Sequence, residues 1–538
     1  MHSECYLYCT LAPFLLVAPE KLRPLDGINL DKSSIMYFPF YSEILAIFPE
    51  VFLFVGLNLL VLYGVIIQGS RPYASPNLLR ELSLLSVGVL AITLVLVWNT
   101  SMTPLVIFQK TLIIDDFGVF LKILLLASSI GCIWISLDFL PEEKIHAFEY
   151  VLLVLFSVLS MIILISAYDF ITIYLAIELQ SLCFYGLTGL KRESEFTTEA
   201  GLKYFVLGSF SSGILLFGFV LIYGLTGTTN CEDLARIFTG STIQSVFFPL
   251  QGQSLGIFFG ILFVAAAALF KLTAVPFHMW APDVYEGAPS SVTAFFSIAP
   301  KIALLGFMIR LFGSSLYDLV YPCQEIFFFC SLGSLWVGSI AALGQTKIKR
   351  MLAYSSIGHV GYFLIGLSCG SLEGIQALLV YFVIYVITTI GLFSSLLGFK
   401  RMDDGGRINY IEELGSLGQT NPFLGLTISL AMFSTAGIPP LAGFMGKFFL
   451  FFASLSASLY LLAFMGVLTS VISCFYYIRL VQIIYFQKKK NWILYPMMDS
   501  SKAFLLSVIF FFLILLTFYP SPLFLYSKEI ALGLLEGF

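Results

Sequence analysis

Long apolar stretches recur along almost the whole chain and constrain its fold more than any other feature. They begin near residue 44 and are separated by short polar links. Each stretch is long enough, as a helix, to cross a hydrocarbon core of about 30 Å. A lone span must be helical, because lipid offers no partner for backbone groups. We place the spans at 44–67, 82–98, 117–136, 148–166, 170–190, 200–225, 254–277, 291–315, 323–343, 351–370, 374–398, 421–453, 457–485 and 503–522.

The composition supports an all-α polytopic membrane protein with about fourteen transmembrane helices. The chain of 538 residues is 59% hydrophobic and only 11% charged, whereas soluble domains are about a quarter charged. The net charge of −4 does not indicate the basic surface that nucleic-acid binding requires. The nine cysteines form no CxxC pair, and the sequence has neither a GxGxxG nor a Walker motif. We therefore expect no metal and no cofactor on this chain, so that any redox chemistry belongs to a partner.

The distribution of basic residues predicts the orientation in the membrane. The links between spans lie alternately on the two sides of the membrane and so form two sets. One set contains fifteen lysines and arginines and the other contains three, when residues 1–40 are not counted. Basic loops stay on the inner side of a membrane, so the first set marks the inner face and both chain ends lie outside. The first set is Arg71, Arg80, Lys144, Lys191, Arg192, Lys347, Lys349, Arg350, Lys400, Arg401, Arg407, Lys488, Lys489, Lys490 and Lys502, and the second is Lys110, Arg236 and Lys528.

Four charged residues lie deep within the apolar stretches: Glu178, Lys271, Lys301 and Lys447. A lysine at membrane depth costs about 2.5–3.5 kcal/mol on insertion scales, so such a residue indicates function. Pairing of Glu178 with Lys271 would offset the cost of burying either, and opening of the pair would release a proton to Lys301 and then Lys447. The pattern predicts a proton relay, with static ion pairs between helices as the alternative.

Three further basic residues, Lys122, Lys203 and Arg479, lie closer to the ends of their spans. Long basic side chains near a span end can extend to the interface and keep the charge in water. For these three residues the sequence leaves open whether they extend to the membrane surface or serve a function.

Prolines interrupt two of the charged spans. Pro276 follows Lys271, and Pro439–Pro440 precede Lys447. Proline removes a helix donor, and unwound backbone at mid-depth is tolerated only inside protein or beside a water-filled cavity. Spans seven and twelve are therefore predicted to be discontinuous, at matching places in two inverted five-helix repeats.

The repeats divide the chain into five segments. Residues 1–40 are an extension without an assigned role, and residues 41–147 hold the first three transmembrane helices. Residues 148–315 and 323–485 form the two repeats, and residues 486–538 hold the last transmembrane helix and the C-terminus.

Two histidines, His278 and His359, are predicted at inner ends of their spans. Histidine titrates near neutral pH, so either can take up protons from the inner side. Haem ligation and simple packing are the alternatives, and the sequence leaves them open.

Six sequence segments resemble the antiporter-like subunits of respiratory complex I, NADH:ubiquinone oxidoreductase. They are AIELQSLCFYGL, EAGLKYFVLGSFSSGILLFG, FKLTAVPFHMWAPDVYEGAPSSV, APKIALLGF, QTKIKRMLAYSSIGHVGY and STAGIPPLAGFMGKFFLF. The resemblance implies a proton-channel subunit without a redox centre of its own. It also implies that the functional residues of the family fall on Glu178, Lys271, Lys301 and Lys447, with Lys203 as a further family lysine.

Within that family, Lys447 favours the branch of mitochondrial subunit 2 and bacterial subunit N, since subunit 4 has a glutamate there. AIELQSLCFYG and His359 are similar to the mitochondrial form of plants and algae. The resemblance implies location in the mitochondrial inner membrane, with lipid and other membrane-arm subunits as partners. NADH, FMN, iron–sulfur clusters and ubiquinone would be bound elsewhere in the complex. A stand-alone cation/proton antiporter of the same fold is the alternative.

Overall fold

The computed structural model describes residues 43–70, 76–100, 104–143, 148–238, 252–317, 320–399, 407–415, 417–487 and 498–536. Residues 46–538 form one compact unit, and its described part is almost entirely helical. The predicted extension, residues 1–40, lies outside the described ranges.

The helices of the described ranges are numbered here in chain order. The first ten are α1 (Phe48–Ser70), α2 (Pro76–Trp98), α3 (Asp116–Glu142), α4 (Glu149–Ser166), α5 (Phe170–Thr188), α6 (Glu195–Thr226), α7 (Cys231–Phe238), α8 (Gly252–Leu272), α9 (Trp280–Gly287) and α10 (Ser290–Arg310). The others are α11 (Val320–Leu343), α12 (Ile348–Cys369), α13 (Leu372–Leu397), α14 (Leu417–Thr420), α15 (Pro422–Ala436), α16 (Ala442–Ser456), α17 (Tyr460–Phe486), α18 (Ser500–Phe518) and α19 (Ser521–Glu536). A π-helical turn, Leu311–Ser315, extends α10, and a 3₁₀ turn covers Ile411–Leu414.

The predicted transmembrane architecture is confirmed. Within the described ranges, thirteen helices are long and apolar enough to cross a membrane. The shorter apolar helices α15 and α16 occupy the remaining predicted span, 421–453. Two of the crossings, the seventh and the twelfth, are discontinuous, as the prolines predicted.

The first break follows α8, which carries Lys271 in its last turn. The backbone N–H of Ala274 donates to Leu269 O at 2.9 Å, and that of Thr273 donates to Phe270 O at 3.1 Å. These two bonds form a Schellman ending, whose left-handed position is usually a glycine. Here it is Thr273, with φ 69°, an unfavourable conformation for a β-branched residue. The chain then turns through Pro276 into α9.

The second break separates α15 from α16, which carries Lys447. Gly437, with φ 86°, ends α15, and its N–H donates to Phe433 O at 3.1 Å. The two half-helices approach very closely, because a Cβ added to Gly443 would lie 1.7 Å from Ser434 O. Only glycine therefore fits at this crossing.

A β-hairpin precedes α3 and contacts α7. Strands β1 (Leu105–Ile107) and β2 (Leu112–Ile114) pair antiparallel. Lys110, in the turn between them, contacts Asp233 at 3.1 Å and Glu232 at 3.2 Å on α7. The hydrogen bond to Asp233 raises the pKa of the Lys110 ammonium above its usual value, so this link stays charged at neutral pH.

Helix α10 forms the centre of the bundle. Within its span, Ser290–Gly313, a stretch of 18 residues is completely buried, whereas only 17% of the corresponding stretch of α18 is buried inside the chain. Surrounding helices therefore shield Lys301, on α10, from lipid. The apolar outer faces of helices such as α18 suit lipid or neighbouring membrane helices.

The sequence left Lys122 free to extend to the membrane surface, and the structure excludes that arrangement. Lys122 Nζ donates to Glu50 Oε1 at 2.5 Å, joining α3 to α1. The two side chains are 5% and 7% exposed. An acidic partner distant in the sequence therefore holds this ammonium inside the bundle.

Removing one member of this pair should destabilise the protein strongly. We expect Lys122→Met to lower the free energy of unfolding by about 3–5 kcal/mol, because Glu50 would keep an uncompensated buried charge. The double variant Lys122→Met/Glu50→Leu should recover most of that loss. Heat-induced unfolding of the detergent-solubilised protein measures both effects, and equal losses in the two variants would contradict the prediction.

Candidate functional site

Lys301 lies at the centre of the bundle and is only 2% exposed. Its Nζ donates to the Tyr385 hydroxyl at 3.0 Å and to Ser356 O at 3.3 Å. The Tyr385 hydroxyl in turn donates to Ser297 O at 2.9 Å. Because that bond uses the single phenolic proton, the Tyr385 oxygen is left to accept from Lys301. Neutral oxygens therefore surround Lys301, and no carboxylate lies within ion-pair distance in the described part of the chain.

Lys447 occupies a similar environment at the second break and is 5% exposed. Its Nζ donates to Thr435 O and Ala436 O, both at 2.9 Å. These carbonyls belong to the last turn of α15, where helical bonding has ended and oxygens are available. The ammonium also lies 5.0 Å from the centre of the Tyr362 ring. The break thus supplies the ligands that hold the charge.

His359 lies in the middle of α12, not at the inner end of its span, so that part of the prediction is wrong. It is buried and close enough to Lys301 and Lys447 to interact electrostatically with both. The hydroxyl of Tyr381 lies 2.6 Å from its Nδ1, and that of Tyr477 lies 3.4 Å from its Nε2. A histidine with a hydroxyl at each ring nitrogen can pass a proton from one side to the other by changing tautomer.

The space between His359 and Lys447 holds a cavity of about 10 Å³, which is at the lower limit for one water molecule. Ser355, Thr469 and Ser473 contribute hydroxyl groups to its otherwise largely apolar lining. The two titratable groups therefore border the same small cavity.

Lys271 and Glu178 do not form the predicted contact. Among the described residues, no carboxylate oxygen lies within 4.0 Å of Lys271 Nζ, and this buried nitrogen has no hydrogen-bond partner. The two charges are near enough to interact electrostatically. The structure therefore shows the pair in an open arrangement.

Further polar atoms at the first break also lack partners. Thr273 Oγ1 and His278 Nδ1 are buried and make no hydrogen bond within the described ranges. Buried polar groups without protein partners commonly bind water. Lys271 Nζ, close to the same break, is a third such atom.

Glu178 is half-buried on α5. Ser181, one turn further along, donates to its carboxylate at 3.2 Å. Tyr174, one turn earlier, also interacts with the carboxylate. Glu178 is thus held by hydroxyl groups of its own helix.

Lys203 lies apart from the buried lysines. Its side chain is 42% exposed and contacts Glu199 at 2.7 Å and Asp283 at 3.2 Å. It borders an open cavity of about 510 Å³ on the basic face of the bundle. Arg350 also borders this cavity and contacts Asp283 at 3.3 Å and Glu286 at 3.2 Å. Lys203 is therefore a surface ion-pair residue and not a member of the buried row.

Sequence reasoning missed the tyrosines around Lys301 and His359. Tyr381 and Tyr385 are one turn apart on α13, in the apolar segment YFVIY. Two tyrosines on one face of a transmembrane helix are a usable signal, because a buried hydroxyl needs a partner. The residues described contain no group of three or more histidine, cysteine, aspartate or glutamate side chains arranged for a metal ion.

This site consists of buried ammonium groups, a histidine and hydroxyl groups, arranged across a bundle with two broken helices. Such a site defines a membrane protein that handles protons or other cations. A family model for the transmembrane part of NADH:quinone oxidoreductase and Mrp antiporter subunits matches residues 167–473. The chain belongs to that family.

Individual relatives specify the branch. Chain 2 of NADH-ubiquinone oxidoreductase from Marchantia polymorpha is 54% identical over 92% of this chain and 99% of its own length. Subunit N of NADH-quinone oxidoreductase from Paramagnetospirillum magneticum is 41% identical over 91% of this chain and 97% of its own. The resemblance to the subunit 2 and subunit N branch is confirmed.

Solved structures share the fold. A chain of respiratory complex I from Thermus thermophilus superposes with a TM-score of 0.72 at 26% identity, covering 88% of this chain and 98% of its own. A chain of the Mrp complex from Dietzia gives a TM-score of 0.75 at 18% identity, covering 91% and 97%. At that identity the Mrp match concerns the fold alone.

Proposed function

We propose that this chain is a proton-translocating subunit in the membrane arm of respiratory complex I. In this role it couples electron transfer from NADH to ubiquinone, in other subunits, to proton movement. The observation that carries the proposal is the row of buried cations, Lys271, Lys301 and Lys447, held inside one bundle. Membrane proteins retain such charges only at a cost, and chiefly along ion or proton pathways.

The proposed relay begins at Glu178 and Lys271. When the two side chains approach, the carboxylate stabilises the protonated lysine. When they separate, the desolvated ammonium loses that support and releases its proton towards Lys301. The separated arrangement of the structure corresponds to the second of these states.

From Lys301 the proton would pass to Lys447 through His359. Tyr385 contacts both Lys301 and His359, and His359 and Lys447 border the same small cavity. Moving one charge against 100 mV requires about 2.3 kcal/mol. Opening or closing a partly buried ion pair involves a free energy of the same order, so the coupling is energetically sufficient.

In this proposal the chain itself binds no redox cofactor. NADH, FMN, iron–sulfur clusters and ubiquinone are expected in other subunits, which would contact this chain through its apolar outer faces. The identity to plant chain 2 proteins supports location in the mitochondrial inner membrane. The enzyme activity would be that of the whole complex, to which this chain contributes proton transfer.

A stand-alone antiporter is not favoured. The relatives with high identity are oxidoreductase subunits, and a sodium site would require more carboxylates at mid-depth than this bundle offers. A native gel separates the two functions. We expect the chain to migrate with the other subunits of a megadalton complex that has NADH dehydrogenase activity. Migration alone, in mildly solubilised membranes, would contradict the proposed function.

A further inference from the structure

A row of hydroxyl groups extends from Glu178 along one face of α5. Ser181, Tyr185 and Thr188 follow Glu178 at helical spacing, so all four side chains share a face. From Glu178 to Thr188 the helix rises about 15 Å, roughly half of the hydrocarbon thickness. Thr188 ends the helix, and the basic residues Lys191 and Arg192 follow on the inner face. The row therefore reaches from mid-membrane to the inner surface.

The Tyr185 hydroxyl is the unusual member of this row. Its oxygen is buried and has no partner at ordinary hydrogen-bond geometry within the described residues, although the Ser181 hydroxyl lies near enough for a longer hydrogen bond. A buried hydroxyl without a partner is costly and rare in native proteins. Its retention requires an explanation beyond packing.

The neighbouring helix α6 leaves room for this hydroxyl. A Cβ added to Gly208 would lie 2.3 Å from the Tyr185 oxygen and 2.9 Å from its ring carbons. The Tyr185 ring also packs edge-on against Tyr204, with ring centres 5.1 Å apart. Gly208 thus leaves room for the Tyr185 hydroxyl in the gap between α5 and α6. The Tyr204 ring holds the Tyr185 ring in that position.

The other members are arranged to continue the row. Ser181 is 2% exposed, and its hydroxyl proton is shared between Glu178 O at 2.9 Å and the Glu178 carboxylate at 3.2 Å, so its oxygen lone pairs remain free to accept. Thr188 is fully buried and donates to Tyr185 O at 3.0 Å. Because Thr188 is bonded to the backbone carbonyl of Tyr185, water is needed both between Thr188 and the Tyr185 hydroxyl and between that hydroxyl and Ser181 to complete a chain of oxygens to the carboxylate.

We propose that Ser181, Tyr185 and Thr188 form the route by which Glu178 takes up protons from the inner side of the membrane. A proton arriving at the Tyr185 oxygen displaces the phenolic proton towards Ser181. Ser181 accepts that proton and passes its own to the Glu178 carboxylate, so each hydroxyl ends with the number of protons it began with. This inference rests on the proposed function, since it supplies the first group of the relay.

The test uses the assembled complex in sealed vesicles that expose the basic face, with proton pumping and NADH:ubiquinone turnover both measured. In Tyr185→Phe, which keeps the ring and removes only the hydroxyl, both rates should fall several-fold at alkaline pH of the outer medium. They should recover towards wild type at acidic pH, because a higher proton concentration compensates for a slower inlet. The solvent deuterium isotope effect on turnover should increase.

Three variants control for packing. Tyr204→Phe removes a hydroxyl from the ring that contacts Tyr185, and it should leave the pH profile unchanged. Ser181→Ala should reproduce the alkaline defect, and Ser181→Thr, which restores a hydroxyl, should reverse it. A wild-type pH profile in both Tyr185→Phe and Ser181→Ala would overturn the proposed route.

Lys271→Ala, measured in parallel, separates this inference from the proposed function. If Lys271→Ala abolishes pumping while Tyr185→Phe and Ser181→Ala behave as wild type, the inlet is wrong and the relay stands. If Lys271→Ala itself pumps normally, the proposed function fails, and the inlet fails with it.

Discussion

Replacement of Lys271 by alanine should lower proton pumping and coupled quinone reduction together, each by at least several-fold, without loss of assembly. Lys271 Nζ makes no hydrogen bond in the described ranges, so the substitution leaves no described polar group without its partner. The same residue is the only titratable group proposed between Glu178 and Lys301. Its loss therefore interrupts the relay while sparing the fold.

The measurement compares pumping per NADH oxidised with the amount of assembled complex on a native gel. Glu178→Ala should give the same phenotype, since it removes the other member of the proposed pair. Lys528→Ala, at an exposed position of α19, is the matched control and should behave as wild type. Normal proton stoichiometry in fully assembled Lys271→Ala would refute the relay.

The largest structural effect is expected from Gly443→Ala at the second break. The added methyl group would overlap Ser434 O at 1.7 Å, and a backbone oxygen cannot rotate away as a side chain can. The half-helices α15 and α16 would have to separate, at a cost of about 3 kcal/mol, which is the upper end of the usual range for overpacking. Separation would also pull Lys447 away from its two carbonyl ligands.

Heat stability of the complex and the yield of assembled protein are the measurements for this variant. Gly213→Ala, in α6, provides the control, because a Cβ there meets no atom within 4 Å. In a helix interior that change should be neutral or stabilising by up to about 1 kcal/mol. Equal stability of the two variants would show that the crossing of α15 and α16 is looser than described.

Much of the fold was predictable because it depends on local properties of the chain. Hydropathy over about twenty residues determines whether a segment can span, and proline determines where a span is interrupted. The spans and both breaks follow from these rules. The division into two inverted repeats remains a prediction, supported by the matching breaks.

The partners of the buried charges were less predictable. The sequence pointed to Lys122 as a residue that could extend to the surface, but its partner Glu50 lies on α1, two spans earlier. It placed His359 at a span end, whereas the packing of α12 between α10 and α16 puts the histidine between two lysines. Tyr385 and Tyr477, which contact Lys301 and His359, come from two further helices.

The sequence by itself determined a helical membrane protein, the burial of Lys301 and Lys447, the two breaks and the family. Only the tertiary structure decided which groups meet: Lys301 with Tyr385, Lys447 with the end of α15, and Lys271 with none of the described side chains. The physical reason is that insertion and helix breaking depend on neighbours along the chain. Hydrogen bonds and ion pairs in the bundle form between helices that are distant in the sequence. They require atoms to approach within a few ångström, and a local sequence pattern does not determine which helices come that close.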